Sequence, residues 1–322
     1  MTPTIGVMMG DRHGIGPEIT ARFLAEPDLD RIGKIVLFGD PAVLEFGQRV
    51  ANVSKAAVSR FVSKSRPSEG AGEARVSSTA GSEVLDTWKQ MIQAAQRGEI
   101  DAILYAPVNK EAMHLGGLRE NDDLEFFCAQ LDFKGYTNWI YVLEPMWMSR
   151  ITGHASIRDV PDLITKENVL QSIQLLDRTI APAKKTKPKI AVAGLNPHAG
   201  DGGLYGDEEI KSIAPAIADA RQLGIDVDGP FPPDSVFVRA QAHSYDGVVT
   251  MYHDQGGIAM KLLGFGKGVA LMGGLPFPVV TPGHGTAYDI AGRGIAQSLG
   301  VKQTFQIACR LAGGSKVSVS LR

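Results

Sequence analysis

Gly10-Asp11-Arg12-His13-Gly14-Ile15-Gly16-Pro17-Glu18 follows a short apolar run, Thr4–Met9, and opens a helix-like stretch, Ile15–Ala25. A strand, a glycine-rich turn and a helix in that order make the opening unit of a parallel α/β sheet. The glycines permit a tight turn and close approach of a ligand to the backbone, and a helix N-terminus offers free N–H groups to an anion. Pro17 suits the first helical turn. The spacing is not G-x-G-x-x-G, so the standard dinucleotide fingerprint fails, and a purely structural turn fits these residues equally well.

The same alternation continues outward. Lys34–Phe38 reads as a buried strand closed by Gly39-Asp40-Pro41. Gly81–Gln96 places Val84, Leu85, Trp88, Met91, Ile92 and Ala95 on one helical stripe, and Asp101–Ala106 follows as a strand. Trp139–Leu143 and Met148–Thr152 read as paired strands, and Lys166–Leu176 as a helix. Lys189–Gly194, Gly247–Met251 and Gly268–Met272 are further apolar runs, each leading into a loop and a helix-like stretch. A largely parallel sheet with helices on both faces is the expected class. Ser63–Gly72 and Pro182–Pro188 are the most linker-like stretches.

With 322 residues the chain has room for two α/β domains. A net charge of −2 gives no basic footprint for nucleic acid or an anionic membrane surface. No apolar run reaches the ~18–20 residues of a spanning helix, and the N-terminus shows no signal-like segment. The two cysteines, Cys128 and Cys309, lie in apolar helix-like segments and read as buried and reduced, which fits a cytoplasmic protein.

Three histidines fall in glycine- or proline-punctuated loops after strands: His154, His198 and His253. In a parallel sheet such loops lie beyond the C-terminal strand ends, where ligands bind. Three neutral imidazoles with a fourth position open suit a divalent ion such as zinc, although any single loop histidine is as readily a solvated side chain. His114 and His243 read as surface or packing residues. His284-Gly285-Thr286-Ala287-Tyr288-Asp289-Ile290-Ala291-Gly292-Arg293-Gly294-Ile295-Ala296 reads as a loop leading into a helix of small residues, with Asp289 near the helix start.

Together, Gly14–Glu18, Asn196–Gly203, Gly229-Pro230 with Pro233-Asp234, Tyr252–Gly256 and His284–Gly294 resemble the 4-hydroxythreonine-4-phosphate dehydrogenase family of vitamin B6 biosynthesis, in its order and over nearly the whole chain. The resemblance extends to the isocitrate and isopropylmalate dehydrogenase architecture. It implies that His154, His198 and His253 are the metal ligands, two from one subunit and one from its partner, in a homodimer with a shared active site. It implies one divalent ion, zinc first with Mg, Mn, Co or Ni as alternatives, and NAD or NADP held by His284, Gly285, Thr286, Ala287, Asp289, Gly292 and Gly294. Lys261 would contact substrate, with Asp234 and Asp254 orienting ligands or relaying protons.

The departures from the family concern the substrate. The family's Gly-His-Thr-Glu-Phe-Phe reads here Asp122-Asp123-Leu124-Glu125-Phe126-Phe127. A family Asn contact falls on Ala270, an Arg contact on or near Val279, and the usual Asp before His-Gly-Thr is Gly283. Asp122 and Asp123, if they face the pocket, would repel a phosphate dianion. His13 and Gly283 resemble the branch that oxidises cis-dihydrodiols of aromatic dicarboxylates.

The expected architecture is therefore α/β, two α/β/α domains. Residues 1–115 plus 280–322 would carry the dinucleotide segment, and 116–279 the metal site and dimer interface. The expected reaction is oxidation of a secondary alcohol by hydride transfer to NAD, with decarboxylation where the product is a β-keto acid. A metal-dependent hydrolase would leave the dinucleotide-type segment unexplained. A phosphotransacetylase-like transferase would leave the three histidines unexplained; a degenerate, non-catalytic binding protein fits the altered pocket, but retention of the three histidines and Lys261 argues against it.

Overall fold

The computed structural model describes residues 2–54, 56–63 and 70–314. Much of the linker-like Ser63–Gly72 stretch lies outside the described residues. The other such stretch is partly helical, since helix Lys166–Lys184 runs through Pro182. Eleven strands occur among the described residues: β1 (Thr4–Met8), β2 (Lys34–Gly39), β3 (Arg60–Ser63), β4 (Ala102–Tyr105), β5 (Asn138–Leu143), β6 (Met146–Arg150), β7 (Lys189–Ala193), β8 (Asp226–Phe231), β9 (Gly247–Thr250), β10 (Val269–Gly273) and β11 (Val279–Pro282). No helix among these residues is long and apolar enough to cross a membrane.

The chain divides into two compact units, one from residues 1–134 and 275–322, the other from Gly135–Gly274. In the first unit the order is β3-β2-β1-β4-β11, with every pairing parallel. The chain leaves β1 for β2 and β3 on one side and returns to β4 on the other. A topological switch point therefore lies between β1 and β4, where α/β sheets open a crevice at their C-terminal ends. Helix Ser78–Gln96 buries Val84, Leu85, Trp88, Met91 and Ile92 of the predicted stripe, with Ala94 rather than Ala95 buried at its end. Its Trp88, with no exposed surface, meets Tyr105, Phe126 and Phe127 at ring-centroid distances of 5.0, 5.5 and 5.3 Å. Burying a side chain of that size stabilises the unit by roughly 4 kcal/mol.

In the second unit the order is β10-β5-β6-β9-β7-β8. β6, β9, β7 and β8 are parallel, whereas β10/β5 and β5/β6 are antiparallel, so this sheet is mixed. The cause is local: only Glu144 and Pro145 separate β5 from β6, which permits a hairpin and no crossover. Met146, Met148, Ala191, Val236, Val248 and Met260 belong to its core. Thr165 caps helix Lys166–Lys184 through the amide of Asn168.

Candidate active site

In the first unit, the opening motif and the His284–Ala296 segment are built against each other. Gly14 lies so close to Thr286 that a Cβ there would come within 2.9 Å of it, and the amide of Ile15 donates to the Thr286 carbonyl at 2.9 Å. Glu18, 1% exposed, accepts from the amide of Ala296 at 2.9 Å and more weakly from that of Gly294 at 3.4 Å. Arg22, one helical turn on, donates to the Gly294 carbonyl. Tyr288 donates to Asp11 Oδ2 at 2.6 Å, and Asp11 Oδ1 accepts from the amide of His13 at 2.8 Å. Burial raises the Tyr288 phenol well above its ordinary range, and the Asp11 carboxylate pushes in the same direction.

The expected helix in His284–Ala296 does not form; the segment is a string of turns, and the next helix is Leu299–Gly314. Ala287, Gly292 and Gly294 take positive φ of 44°, 73° and 69°, which right-handed helix forbids. The amides that a helix would bond to its own carbonyls go partly to Glu18 instead. Asp289 is exposed in this loop and does not stand at a helix start. Gly285 faces open space, so the loop presents bare backbone there. His284 Nδ1 lies 3.2 Å from the Gly285 carbonyl, and burial lowers the pKa of the ring, which favours the neutral imidazole.

In the second unit the three candidate ligand histidines follow β6, β7 and β9. These strands are neighbours in the order β6-β9-β7 and run parallel, so their C-terminal ends share one edge. The rings of His154 and His253 face each other with centroids 5.8 Å apart. Two imidazoles on one tetrahedral ion at ~2.1 Å per bond have centroids roughly 5 Å apart, so the pair fits a divalent ion as part of a ligand set. His253 is the first residue of helix His253–Gly264, and its Nδ1 meets Asp254 Oδ1 at 2.6 Å. With Nδ1–H donating to the carboxylate, Nε2 keeps its lone pair for a ligand.

His198 is not gathered in. Residues 198–202 all have positive φ, and the His198 side chain is 71% exposed, beside Asp201 at 3.9 Å. Among the described residues no group of three or more His, Cys, Asp or Glu side chains is close enough to hold a metal. The base of its loop is nevertheless firmly held. Glu209, 3% exposed, accepts from the amides of Leu195 and Asn196 at 2.7 and 2.8 Å, and Gln255 joins the Gly194 carbonyl to the amide of Met251. Lys261 and Asp234 are exposed.

Two aspartates turn out differently from expectation. Asp122 turns into its own helix and caps it, accepting from the amide of Glu125 at 3.0 Å. Asp123 is buried at 5% exposure and accepts from Tyr105 Oη at 3.0 Å. Neither is a freely exposed charge: Asp122 caps its helix, and Asp123 is buried with Oδ2 on the Tyr105 hydroxyl. Cys128 is half-buried, and Cys309 is buried, its thiol pushed up to about 12 by desolvation. Sequence reading missed the anchoring roles of Glu18, Asp11 and Glu209. Glu18 and Asp11 stood within the quoted opening motif, but nothing local reveals a carboxylate whose partners are ~280 residues away.

One α/β unit thus carries a glycine-rich loop held by Glu18 and Asp11, and the other carries paired histidines past parallel strand ends, so each has a candidate ligand-binding place. The profile of the family described as pyridoxal phosphate biosynthetic protein PdxA matches residues 31–308. The chain belongs to that family and is a dehydrogenase. It is 40% identical to a putative 4-hydroxythreonine-4-phosphate dehydrogenase 2 of Pseudomonas aeruginosa, over 96% of this chain and 97% of the relative. It is 38% identical to a D-threonate 4-phosphate dehydrogenase of Salmonella typhimurium, over 97% and 99%. The crystal structure of a 4-hydroxythreonine-4-phosphate dehydrogenase from Klebsiella pneumoniae superposes with a TM-score of 0.84 at 34% identity, covering 97% of this chain and all of the other. A terephthalate 1,2-cis-dihydrodiol dehydrogenase from Burkholderia xenovorans matches at TM-score 0.68 and 26% identity, over 94% and 96%. A β-decarboxylating dehydrogenase from Thermococcus kodakarensis, at TM-score 0.51 and 16% identity over 95% and 82%, shares the fold alone. The expected fold class, α/β with the architecture shared with these dehydrogenases, is thus the observed one.

Proposed function

We propose that this chain oxidises a secondary alcohol of a small hydroxy acid by transfer of hydride to NAD, with a divalent ion, zinc first, held by His154, His198 and His253. The observation that carries the reading is the pairing of His154 and His253 at neighbouring parallel strand ends, with Asp254 fixing the tautomer of His253. When bound, the ion would polarise the alcohol and favour the oxyanion character that develops as hydride leaves. Asp254 holds His253 with Nε2 outward. Lys261, on the same helix as His253, is proposed to contact substrate, and Asp234 to move a proton or orient a ligand. A homodimer with a shared site is part of the proposal. It accounts for a ligand set that one chain leaves incomplete among its described residues.

On the cofactor side the assignment is His284, Gly285, Thr286, Ala287, Asp289, Gly292 and Gly294, holding NAD or NADP. Support comes from the open face at Gly285 and from the buried anchors that pre-shape the loop. The chain's own contribution is to hold that backbone still; the hydride chemistry belongs to the cofactor. Relatives named for 4-hydroxythreonine 4-phosphate and D-threonate 4-phosphate make polyhydroxylated acids the first compounds to test. A cis-dihydrodiol carboxylate is the second reading, favoured by the similarity to the terephthalate dihydrodiol dehydrogenase. A cytoplasmic location goes with either reading, and two free cysteines support it. Metal analysis of purified protein, wild type against His154→Ala, tests the reading. We expect about one ion per subunit in the first and strong loss in the second; equal occupancy would refute the ligand assignment.

A further inference from the structure

In the second unit the three histidine loops are stitched to one another through one buried residue. Met251, with no exposed surface, sits between β9 and the helix that begins at His253. Its carbonyl accepts from the amide and from Oγ1 of Thr152, both at 3.0 Å, two residues before His154. Its amide donates to Gln255 Oε1 at 2.7 Å. The other end of that side chain, Nε2, donates to the Gly194 carbonyl at 2.9 Å, where β7 has ended and the His198 loop begins. Gly194 passes the contact on. A Cβ there would come within 3.0 Å of Ala199 Cα and 2.9 Å of Glu209 Oε1, so the residue next to His198 is folded back against it.

We propose that Gln255 is a positioning residue, whose side-chain amide sets the place of His198 relative to the His154 and His253 pair. The site demands a group that accepts from one N–H and donates to one carbonyl at once. A glutamine does both, whereas an ionised glutamate lacks the donor and methionine offers at most a weak acceptor. Helix capping explains half of the arrangement, since a Gln in the first turn commonly reaches back over the helix start. It does not explain Nε2, whose partner lies 61 residues earlier, beyond another strand. Residues 198–202 all take positive φ, which side chains of the L hand adopt at a cost, so the crest of the loop keeps its shape by being held at its base. Gln255 ties that base to the His253 helix, and Glu209 holds it through the amides of Leu195 and Asn196. A shift of Gly194 therefore moves His198 against the other two rings, and metal–ligand distances tolerate errors of only about 0.2 Å.

The inference rests on the metal reading of the three histidines, and its test separates the two. The Kd for zinc is measured by competition with a chromogenic chelator for wild type, Gln255→Met, His198→Ala and the double variant. Gln255→Met keeps the length of the side chain and removes the tie to Gly194; it should weaken zinc by about tenfold, the low end of what the loss of an outer partner costs. In the His198→Ala background the same change should cost less than about twofold, because the ring it positions is gone. A merely structural glutamine would cost the same in both backgrounds. Glu209→Gln keeps Oε1 for the two amides but turns a donor toward Asn196 Nδ2, so it loosens the same loop and serves, with the same expected dependence on His198, if Gln255→Met does not fold. A Kd within twofold of wild type in Gln255→Met, or an equal loss in both backgrounds, would overturn the inference while a loss in His198→Ala left the metal reading standing. An unchanged Kd in His198→Ala would refute the metal reading, and the inference with it.

Discussion

The His284–Ala296 loop and the three histidine loops have opposite designs. The first is tied down by groups taken from far away in sequence: Glu18 on the amides of Gly294 and Ala296, Arg22 on the Gly294 carbonyl, Asp11 on Tyr288. Glu18 and Asp11 are buried and Arg22 is half-buried, and the loop's open face at Gly285 is backbone alone. Of the histidine loops, the one that carries His198 is fixed at its base by Glu209 and Gln255, while the His198 side chain is largely exposed and the rings of His154 and His253 lie side by side. The difference separates two ways of making a site. On the proposed reading, one loop is shaped before its ligand arrives, and the other set would be completed by what it binds.

Substitutions at the two places should therefore fail differently. Glu18→Ala would leave two buried or half-buried amides without an acceptor, and should destabilise the first unit by roughly 2 kcal/mol or more. It should also abolish measurable NAD binding while metal content stays near wild type. Denaturant unfolding together with NADH titration checks this, and an unchanged affinity for NADH would dissolve the contrast. His253→Ala should do the reverse. Without metal its stability should match the apo wild type within about 0.5 kcal/mol, because the ring is partly exposed, with Asp254 as its hydrogen-bond partner and the His154 ring beside it. With zinc at a hundred times the wild-type Kd, the wild type alone should gain about 2.7 kcal/mol. An equal gain in the variant would mean that His253 does not bind the ion.

A smaller effect is expected at Gly285. A Cβ there meets no atom within 4 Å and the position requires no positive φ, so in Gly285→Val the Tm should hold while NAD affinity drops about tenfold by steric exclusion. Gly292 is a less clean probe, because its φ of 73° would strain any side chain. The smallest effect concerns the thiols. Burial holds Cys309 at about 12, so at pH 8 it stays protonated and should resist alkylation in the native protein. Its folded pKa lies above the unfolded value, so whatever stability it contributes is full below that value and falls as pH rises toward 12. Half-buried Cys128 should alkylate faster, as mass spectrometry would reveal.

Much of this was legible in the chain. Apolar runs punctuated by glycine marked most strands, and the stripe around Trp88 marked its helix, because both patterns follow from local periodicity. The three histidines stood out for the same reason, as polar residues just past strand ends. What stayed hidden depends on distant partners. The segment after His284 has small residues that suit a helix, yet Glu18 captures its amides and three positive-φ residues unwind it. Asp122 and Asp123 looked like one doubled charge, but adjacent residues at a helix start point differently: one caps, the other turns inward to Tyr105. Short strands such as Arg60–Ser63 and Val279–Pro282 carry too few residues to show a period.

The central claim is that the paired histidines hold an ion on which hydride transfer to NAD depends. The direct measurement is NADH formation from D-threonate, D-threonate 4-phosphate and a cis-dihydrodiol carboxylate by the protein as purified, after chelation, and after zinc is restored. The account predicts NADH with at least one of these compounds, its loss on chelation and its return with zinc. It also predicts no return in His154→Ala or His253→Ala. NADH formed at the same rate by chelated protein, or by either variant, would contradict it.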